Sequence, residues 1–412
     1  MLGVLLVGST LCAQQRLSVE QAVAEAIEKN VALLAEKSNI AIAEAQILTA
    51  RMRPNPTLSA SADHLDMLGT GFNDSNGAGP SEFALRFDMP LERGGKRGRR
   101  TEVARMQRGV AEFEFQDACR GLALDVANLF VDAQLARESL RLAKENLAYF
   151  ESIVEVNKAR LKAGDIAEVE LLRSRLALSQ QRNVVRDAES KYRSALSKLQ
   201  TKMGRGAPVA GLELDGDLRR DANPPVREQA LQLALARRPD LAAARQDLTR
   251  AGAEVNSQLA QAKADPTVGT EYRRQQGVNG TGNSMGFFIA LPLQVYNRNQ
   301  GEIERARQER RQTELKVRQL EIEIAGEVDV AHEEATTSAA MLRNVEGEML
   351  NEAQEVRRVT EYSYRRGHVT LLELLDAQRA YNETVQGAIE ARAAYARSLF
   401  ELDAVTGRTV TQ

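Results

Sequence analysis

The chain has no tryptophan, two cysteines and ten prolines in 412 residues, and aromatic side chains make up 4% of it. Each shortage excludes something. Cys12 and Cys119 cannot build a disulfide framework. Scarce proline leaves long stretches uninterrupted, about 101 to 162 and 302 to 366, so helices of unusual length are allowed. No apolar run reaches the roughly 18 residues that a membrane-crossing helix needs. A net charge of −2 supplies no field for nucleic acid. The three histidines, His64, His332 and His368, stand apart from one another, without the His/Cys spacing of a metal site. Serine, histidine and aspartate form no recognisable triad, and the basic run Arg93–Arg100 lacks the spacing of a phosphate-binding loop. Catalytic, cofactor, nucleotide and metal sites are therefore not expected. The apolar run Leu2 to Ala13 has the character of a secretory leader, although it lacks a basic start, and residues 1–13 are read as a signal peptide cut after Ala13. Leu11 before Cys12 argues against a lipid-modified cysteine there.

What is present is repetition. Leu161-Lys162-Ala163-Gly164-Asp165 returns as Tyr364-Arg365-Arg366-Gly367-His368, 203 positions later. Arg53-Pro54-Asn55-Pro56-Thr57 returns as Lys263-Ala264-Asp265-Pro266-Thr267, and Lys202-Met203-Gly204 as Val405-Thr406-Gly407. The chain reads as a tandem duplication, 14–215 and 216–412. The copies differ in length almost wholly between Pro56 and Pro90, where the first carries the glycine-rich stretch 69–77 and the second the shorter 277–282. Loops absorb such changes and the elements they join do not.

Each copy reads helix, strand, strand, long helix, tight turn, helix. Leu17 to about Arg51 is amphipathic at helical spacing, and Ser18 with Gln21 suggests a capping box. The counterpart runs from about Val226 to Ala262. Strands are expected at about 55–66 and 81–91, and again at 265–276 and 283–294. In Glu82–Met89, Phe83, Leu85, Phe87 and Met89 alternate with Glu82, Ala84, Arg86 and Asp88, giving one greasy and one wet face. Met285, Phe287, Ile289 and Leu291 repeat the pattern less cleanly, because Phe288 and Ala290 intervene. The proline-free tracts approach 70 residues with their N-terminal approaches, roughly 100 Å of helix. The returning helices are about half as long, and so are the opening ones. Two laid end to end match one long helix, which suggests a cylinder of uniform wall. Tyr381, Val385, Ala388, Arg392, Tyr395, Leu399 and Leu402 recur at alternating spacings of four and three, as in a coiled coil with polar interruptions. Leu178, Arg182, Val185, Glu189, Tyr192, Leu196 and Leu199 match them in the first copy. A closed helical bundle would share this pattern, but not the hairpins. Four strands are too few to close a barrel, and isolated hairpins expose their edges. Three chains would supply twelve strands, and a closed barrel crosses lipid without any apolar helix.

With these elements in place the chain resembles the TolC-like outer-membrane efflux proteins, over both copies. Within them it is most similar to the CzcC-like heavy-metal cation efflux branch. The residues that carry the likeness are Arg53-Pro54-Asn55-Pro56, then Pro90-Leu91-Glu92-Arg93-Gly94-Gly95-Lys96-Arg97, Arg238-Pro239-Asp240-Leu241, and Gly367 to Gln378. The resemblance implies a mainly α fold with a small β part. It implies a homotrimer whose twelve-stranded transmembrane barrel sits in outer-membrane lipid and continues into a long periplasmic α-helical barrel. It also implies work with a periplasmic adaptor (a membrane fusion protein) and an inner-membrane pump of the resistance-nodulation-division type, and it implies no catalysis. A drug-efflux or type I secretion duct is a rival reading, and a periplasmic coiled-coil scaffold a more distant one.

The resemblance places the turns at Gly164-Asp165 and Gly367-His368 at exposed tips where an adaptor docks. The basic residues before them are also what a helix C-terminus favours. Past the turns lie Glu168 and Glu170 in one copy and Glu373 and Asp376 in the other. In the family, acids matching Glu170, Glu373 and Asp376 line the aperture, where three chains would turn each into a ring that attracts cations. Arg173, Arg175 and Arg379 are expected to pair with these acids and hold the aperture shut. Gly94, Gly95, Lys96 and Arg97 are expected at the junction of barrel and tunnel, near lipid headgroups or neighbouring chains, with the glycines permitting a close bend.

Overall fold

The computed structural model describes residues 16–69, 81–207, 211–221, 225–277 and 280–408. The expected leader 1–13, most of the loop 69–77 and part of 277–282 lie outside the described residues. The chain divides into two compact units. One takes the residues up to Lys37, Glu114–Asp240 and those from Leu320 onward; the other takes Ser38–Phe113 and Leu241–Gln319. Both halves of the chain contribute to each.

The element order is β1 (Arg16–Leu17), α1 (Val19–Lys29), α2 (Val31–Arg51), β2 (Thr57–Asp63), β3 (Glu82–Pro90), α3 (Lys96–Ala163) and α4 (Glu168–Lys202). It continues with β4 (Glu213–Leu214), α5 (Arg227–Arg237), α6 (Pro239–Gln261), β5 (Thr267–Gly277), β6 (Gly280–Ala290), α7 (Gln300–Asn344), α8 (Leu350–Arg365) and α9 (Leu371–Val405). A π-helical turn, Val345–Met349, joins α7 to α8. At 68 residues, α3 is roughly 100 Å long.

In the unit that holds the sheet, four antiparallel strands stand in the order β2-β3-β5-β6. The hairpins from the two halves of the chain therefore join edge to edge, with Glu82 opposite Gln275 and Pro90 opposite Thr267. Pro54 and Pro56 stop α2 from continuing into β2, since proline neither donates nor lets its predecessor stay helical.

In the helical unit Ser18 caps α1 as expected, with Gln21 completing the box. The single helix expected from Leu17 to Arg51 is in fact two. Asn30 is extended (φ −66°, ψ 117°). Its side chain accepts from the Leu33 N–H and donates to the Lys202 carbonyl (3.0 and 2.8 Å), so the break is held from both sides. The counterpart helix breaks at Arg238, also extended, because Pro239 opens α6 where its missing N–H costs nothing. Such breaks do not disturb hydrophobic periodicity, which is why the apolar pattern runs through them.

Four helices, α3, α4, α8 and α9, end alike. Gly164, Gly204, Gly367 and Gly407 all take positive φ, and the residue after each donates its N–H five residues back, to Arg160, Gln200, Ser363 and Asp403. This is the glycine-closed helix end. Gly204 also lies against the end of α1, where a β-carbon would meet the Lys29 carbonyl oxygen at 2.5 Å. Gly407 lies against Arg237 at the end of α5 in the same way, with a closest approach of 3.0 Å.

Arg205, next to Gly204, forms a two-pronged ion pair with Glu25 of α1 (2.9 and 2.7 Å). The Arg205 guanidinium chiefly, opposed by burial and helped by Lys29, holds the Glu25 carboxyl below its ordinary value of 4.5. A depressed acid stabilises the fold fully above its unfolded value and loses that contribution as pH falls through its native value. Glu25→Gln should therefore lower the melting temperature at pH 7 and flatten its decline between about pH 5 and pH 3, measured by thermal unfolding across that range.

The heptad positions are largely inward. Leu178, Val185 and Leu199 are buried, as are Ala388, Tyr395, Leu399 and Leu402. The polar interruptions find partners on facing helices. Arg182 reaches Glu151, Glu189 reaches Lys144 (3.9 and 3.6 Å), and Arg392 bonds Glu346 in the π turn. The parallel pair β1–β4 was not foreseen, since two residues per strand carry no periodic signal. Leu17 and Leu214 there join Val23, Val126 and Phe130 in one core, against which Cys119 packs, and burial pushes its thiol up.

Candidate functional site

Two regions carry the residues singled out above, one in each unit. In the helical unit the α3–α4 and α8–α9 turns close on Gly164 and Gly367 (φ 83° and 80°), and Asp165 and His368 are exposed beside them. Under the turns, Ile153, Tyr364, Leu371 and Leu374 form a small core, and Phe150, Val154, Leu171 and Leu178 another. Both draw on half-buried Tyr149 and Leu375, so the two hairpins are fastened to each other. Tyr364 is buried, and its hydroxyl donates to Asn157 Oδ1 at 2.6 Å. Arg160 donates to the Tyr364 carbonyl at 3.2 Å and lies over its ring. Sequence reasoning singles out Tyr364 and the basic residues before the turns, but not Asn157 or the contacts among the three. A signal exists, since Asn157 is a polar residue in the apolar register Ile153, Val154, Leu161.

The expected aperture residues fall on two helices. Glu170 is half-buried on α4, where Arg173 and Arg175 are exposed; Glu373, Asp376 and Arg379 are exposed on α9. Glu373 has a local duty. Its carboxylate accepts from the Thr370 N–H (2.6 Å) and hydroxyl (2.9 Å), completing the capping box of α9. The Thr370 N–H first, then the hydroxyl, hold its carboxyl below the ordinary range. Asp376 is one turn further on and has no such partner. The expected pairing does not occur within the chain: among the described residues, Arg173, Arg175 and Arg379 make no ion pair with Glu170, Glu373 or Asp376.

In the other unit the sheet has two unlike faces. One carries Leu58, Phe83, Leu85, Phe87, Met89, Val268, Tyr272, Met285, Phe287 and Ile289; paired registers place them together. The other carries Asp63, Glu82, Arg86, Asp88, Glu271 and Arg273, four carboxylates and two guanidinium groups. Along β3 the apolar face is the exposed one and the polar face the sheltered one, the reverse of a sheet resting on a core. Arg86 binds Asp88 with two hydrogen bonds (2.8 and 3.1 Å) and stacks on Phe288 at 3.8 Å. Gly269 makes room for that ring, since a β-carbon there would meet Phe288 at 2.1 Å. This explains the aromatic that spoils the alternation of β6. Arg273 joins Glu271 and Glu82 across two strands (2.9 Å each).

At the end of the sheet where β3 passes into α3, Gly94 and Gly95 both take positive φ (75° and 74°). Lys96 is 6% exposed and pairs with Asp265 at 2.6 Å, while Arg97 is exposed. The Asp265 carboxylate also accepts from the Arg93 N–H at 2.8 Å. The glycines thus let the chain turn tightly enough for the next residue to reach the linker of the other hairpin. Arg238, from the Arg-Pro-Asp-Leu motif, is 4% exposed in the helical unit, bonded to Asp240 (3.0 and 2.5 Å) and to Glu327. Among the described residues no group of three or more His, Cys, Asp or Glu is placed to hold a metal ion, and no helix is long and apolar enough to cross a membrane.

A family model described as Outer membrane efflux protein matches residues 22–205 and 230–408. The chain belongs to this family. Its family and fold are those of channel proteins rather than enzymes. Among the relatives of this efflux protein is the cobalt-zinc-cadmium resistance protein CzcC of Cupriavidus metallidurans, 24% identical over 88% of this chain and 83% of that one. Another is the pyoverdine export outer membrane protein OpmQ of Pseudomonas putida, 26% identical over 85% and 77%. Among solved structures, the outer-membrane channel OprN superposes with a TM-score of 0.75 over 94% of this chain and 89% of that one, at 18% identity. That likeness shows the fold.

Proposed function

We propose that this efflux protein is the outer-membrane exit duct of a tripartite system, passively conducting heavy-metal cations delivered by an inner-membrane pump of the resistance-nodulation-division type through a periplasmic adaptor. The observation that carries the reading is the inverted sheet. Its apolar face is exposed, with Phe287 at 82% and Ile289 at 74%, and among the described residues its outer strands β2 and β6 each pair on one side alone. Neither feature suits water. Three copies closing edge to edge make a twelve-stranded barrel, which satisfies every backbone group and turns the apolar face to lipid. The polar face then lines the lumen with a net −2 per chain, a surface that passes cations. The long helices form the periplasmic wall. The turns at Gly164-Asp165 and Gly367-His368 dock the adaptor, and Glu170, Glu373 and Asp376 form the aperture. Because Arg173, Arg175 and Arg379 pair with no acid among the described residues, their partners in a closed aperture come from neighbouring subunits.

Relatives named for cobalt, zinc and cadmium resistance support the metal cargo. The pyoverdine exporter supports a second reading, an organic cargo through the same duct. Planar-bilayer recording of the detergent-purified protein is expected to show stepwise, cation-selective conductance. A protein recovered as a water-soluble monomer, silent in bilayers, overturns the duct. A deletion strain is expected to lose resistance to zinc, cobalt or cadmium; sensitivity confined to organic compounds overturns the metal cargo alone.

A further inference from the structure

The antiparallel order brings four linkers to one end of the sheet: those entering β2 and β5 and those leaving β3 and β6. That end is strongly basic. Glu92, Asp265 and Glu102 are each committed to a cation of the chain, Arg100, Lys96 and Arg99 respectively. Six exposed cations remain, Arg51, Arg53, Arg93, Arg97, Lys263 and Arg298, and none makes an ion pair among the described residues. The first turn of α3 has no acid. It carries lysine and arginine where the helix dipole disfavours them; Lys96 and Arg99 are paired with Asp265 and Glu102, and Arg97 makes no ion pair among the described residues.

The apolar stripe of β6 does not stop with the strand. Met285, Phe287 and Ile289 are followed at the same alternation by Leu291, Leu293 and Val295, and then by Tyr296. Leu293 is 79% exposed and Tyr296 91%. An apolar band that ends in an exposed tyrosine and a belt of arginines is the pattern of a membrane-water boundary. Among the described residues, the opposite end of the apolar face offers one cation, Arg274.

We propose that this collar is a binding surface for anionic phospholipid headgroups, phosphatidylglycerol or cardiolipin, in the leaflet that borders the α3 end of the sheet. The proposal rests on the duct reading for the bilayer itself; the headgroup preference comes from the collar. Guanidinium groups match the two free oxygens of a phosphodiester, and the apolar stripe beside them receives the acyl chains. The collar anchors the depth of the barrel and draws anionic lipid to its inner rim.

The test uses the full chain, delipidated in non-ionic detergent, with lipid binding read by native mass spectrometry and by the melting temperature. Phosphatidylglycerol is expected to bind at least about tenfold more tightly than phosphatidylcholine, since each guanidinium near an anionic surface strengthens binding roughly fivefold, and the preference should fade as salt rises. R53Q/R93Q/R97Q/R298Q, which leaves the Lys96–Asp265 and Arg100–Glu92 pairs intact, should lose most of the preference, and R274Q should keep it. Equal affinity for the two lipids, or a preference that survives the fourfold variant, overturns the proposal. So does stabilisation by inorganic phosphate alone, which would mean a site for the free ion. Loss of trimers in the variant overturns it in favour of a contact between copies. Conductance is recorded on the same samples. A chain that conducts but shows no lipid preference overturns the collar and leaves the duct, whereas one that conducts in no bilayer overturns the duct and the leaflet assignment with it.

Discussion

Glu373→Gln combined with Asp376→Asn is expected to lower the cation-over-anion selectivity of single channels roughly five- to tenfold, with little loss of stability. In the proposed trimer the two changes remove six carboxylates from a narrow aperture. Unit charges a few ångströms from a permeating ion act on it with about 1 kcal/mol each even in water, and a tenfold change in selectivity requires about 1.4 kcal/mol in total. The structure makes the substitution clean. Glu373 works in a capping box with Thr370, and glutamine fills that position as well as glutamate does. Asp376 has no hydrogen-bond or ion-pair partner to lose among the described residues. The converse variant, Thr370→Ala, removes the cap while keeping both charges, so it should cost about 1 kcal/mol of stability and leave selectivity unchanged. Charge reversal, E373K/D376K, should invert the preference. Single-channel currents unchanged by reversal would remove these residues from the aperture, and a selectivity shift in Thr370→Ala as large as in the double variant would mean that helix geometry, not charge, sets it.

Gly204→Ala is expected to be among the most damaging single-methyl changes in the chain, about 3 kcal/mol, and it isolates a tertiary cause. At Gly164 (φ 83°) alanine meets nothing within 4 Å, so only the left-handed backbone is penalised, about 1 kcal/mol. At Gly204 (φ 85°) the same backbone term is joined by a collision at 2.5 Å with the Lys29 carbonyl oxygen, which belongs to a helix end and cannot swing aside as a side chain would. Separating them disturbs the Arg205–Glu25 pair and the bond from Asn30 to Lys202 as well. Gly407, with its nearest contact at 3.0 Å, should fall between. Urea or thermal unfolding of the three variants should rank them 164, 407, 204 in rising cost. Equal losses at 164 and 204 would show that the close approach carries no energy.

The repeated glycines illustrate what could be read early. Gly204 and Gly407 stood out as matching points of two copies, and a glycine that ends a helix leaves a local trace. That a carbonyl from α1 lies against one of them left none. The faces of β3 were legible as well, because alternation is written residue by residue. Phe288 breaks the pattern, yet it is the partner of Arg86, reached from β6 across Gly269 of the intervening strand β5. The acids past the turns are legible as a group, but only the fold separates Glu373, which caps a helix, from Asp376, which does not.

Helical and extended tracts, strand faces and turn glycines of this protein follow from the order of its amino acids alone, since each is set by steric and periodic preferences within a few neighbours. The tertiary structure decided that β3 pairs with β5, that Asn30 splits the first opening helix against the Lys202 carbonyl, that Arg238 is buried against Glu327, and that six cations collect at one end of the sheet. Those outcomes depend on which distant groups meet. The free energy of such a meeting, a desolvated ion pair or a carbonyl against a glycine, exists only once the chain has folded back on itself.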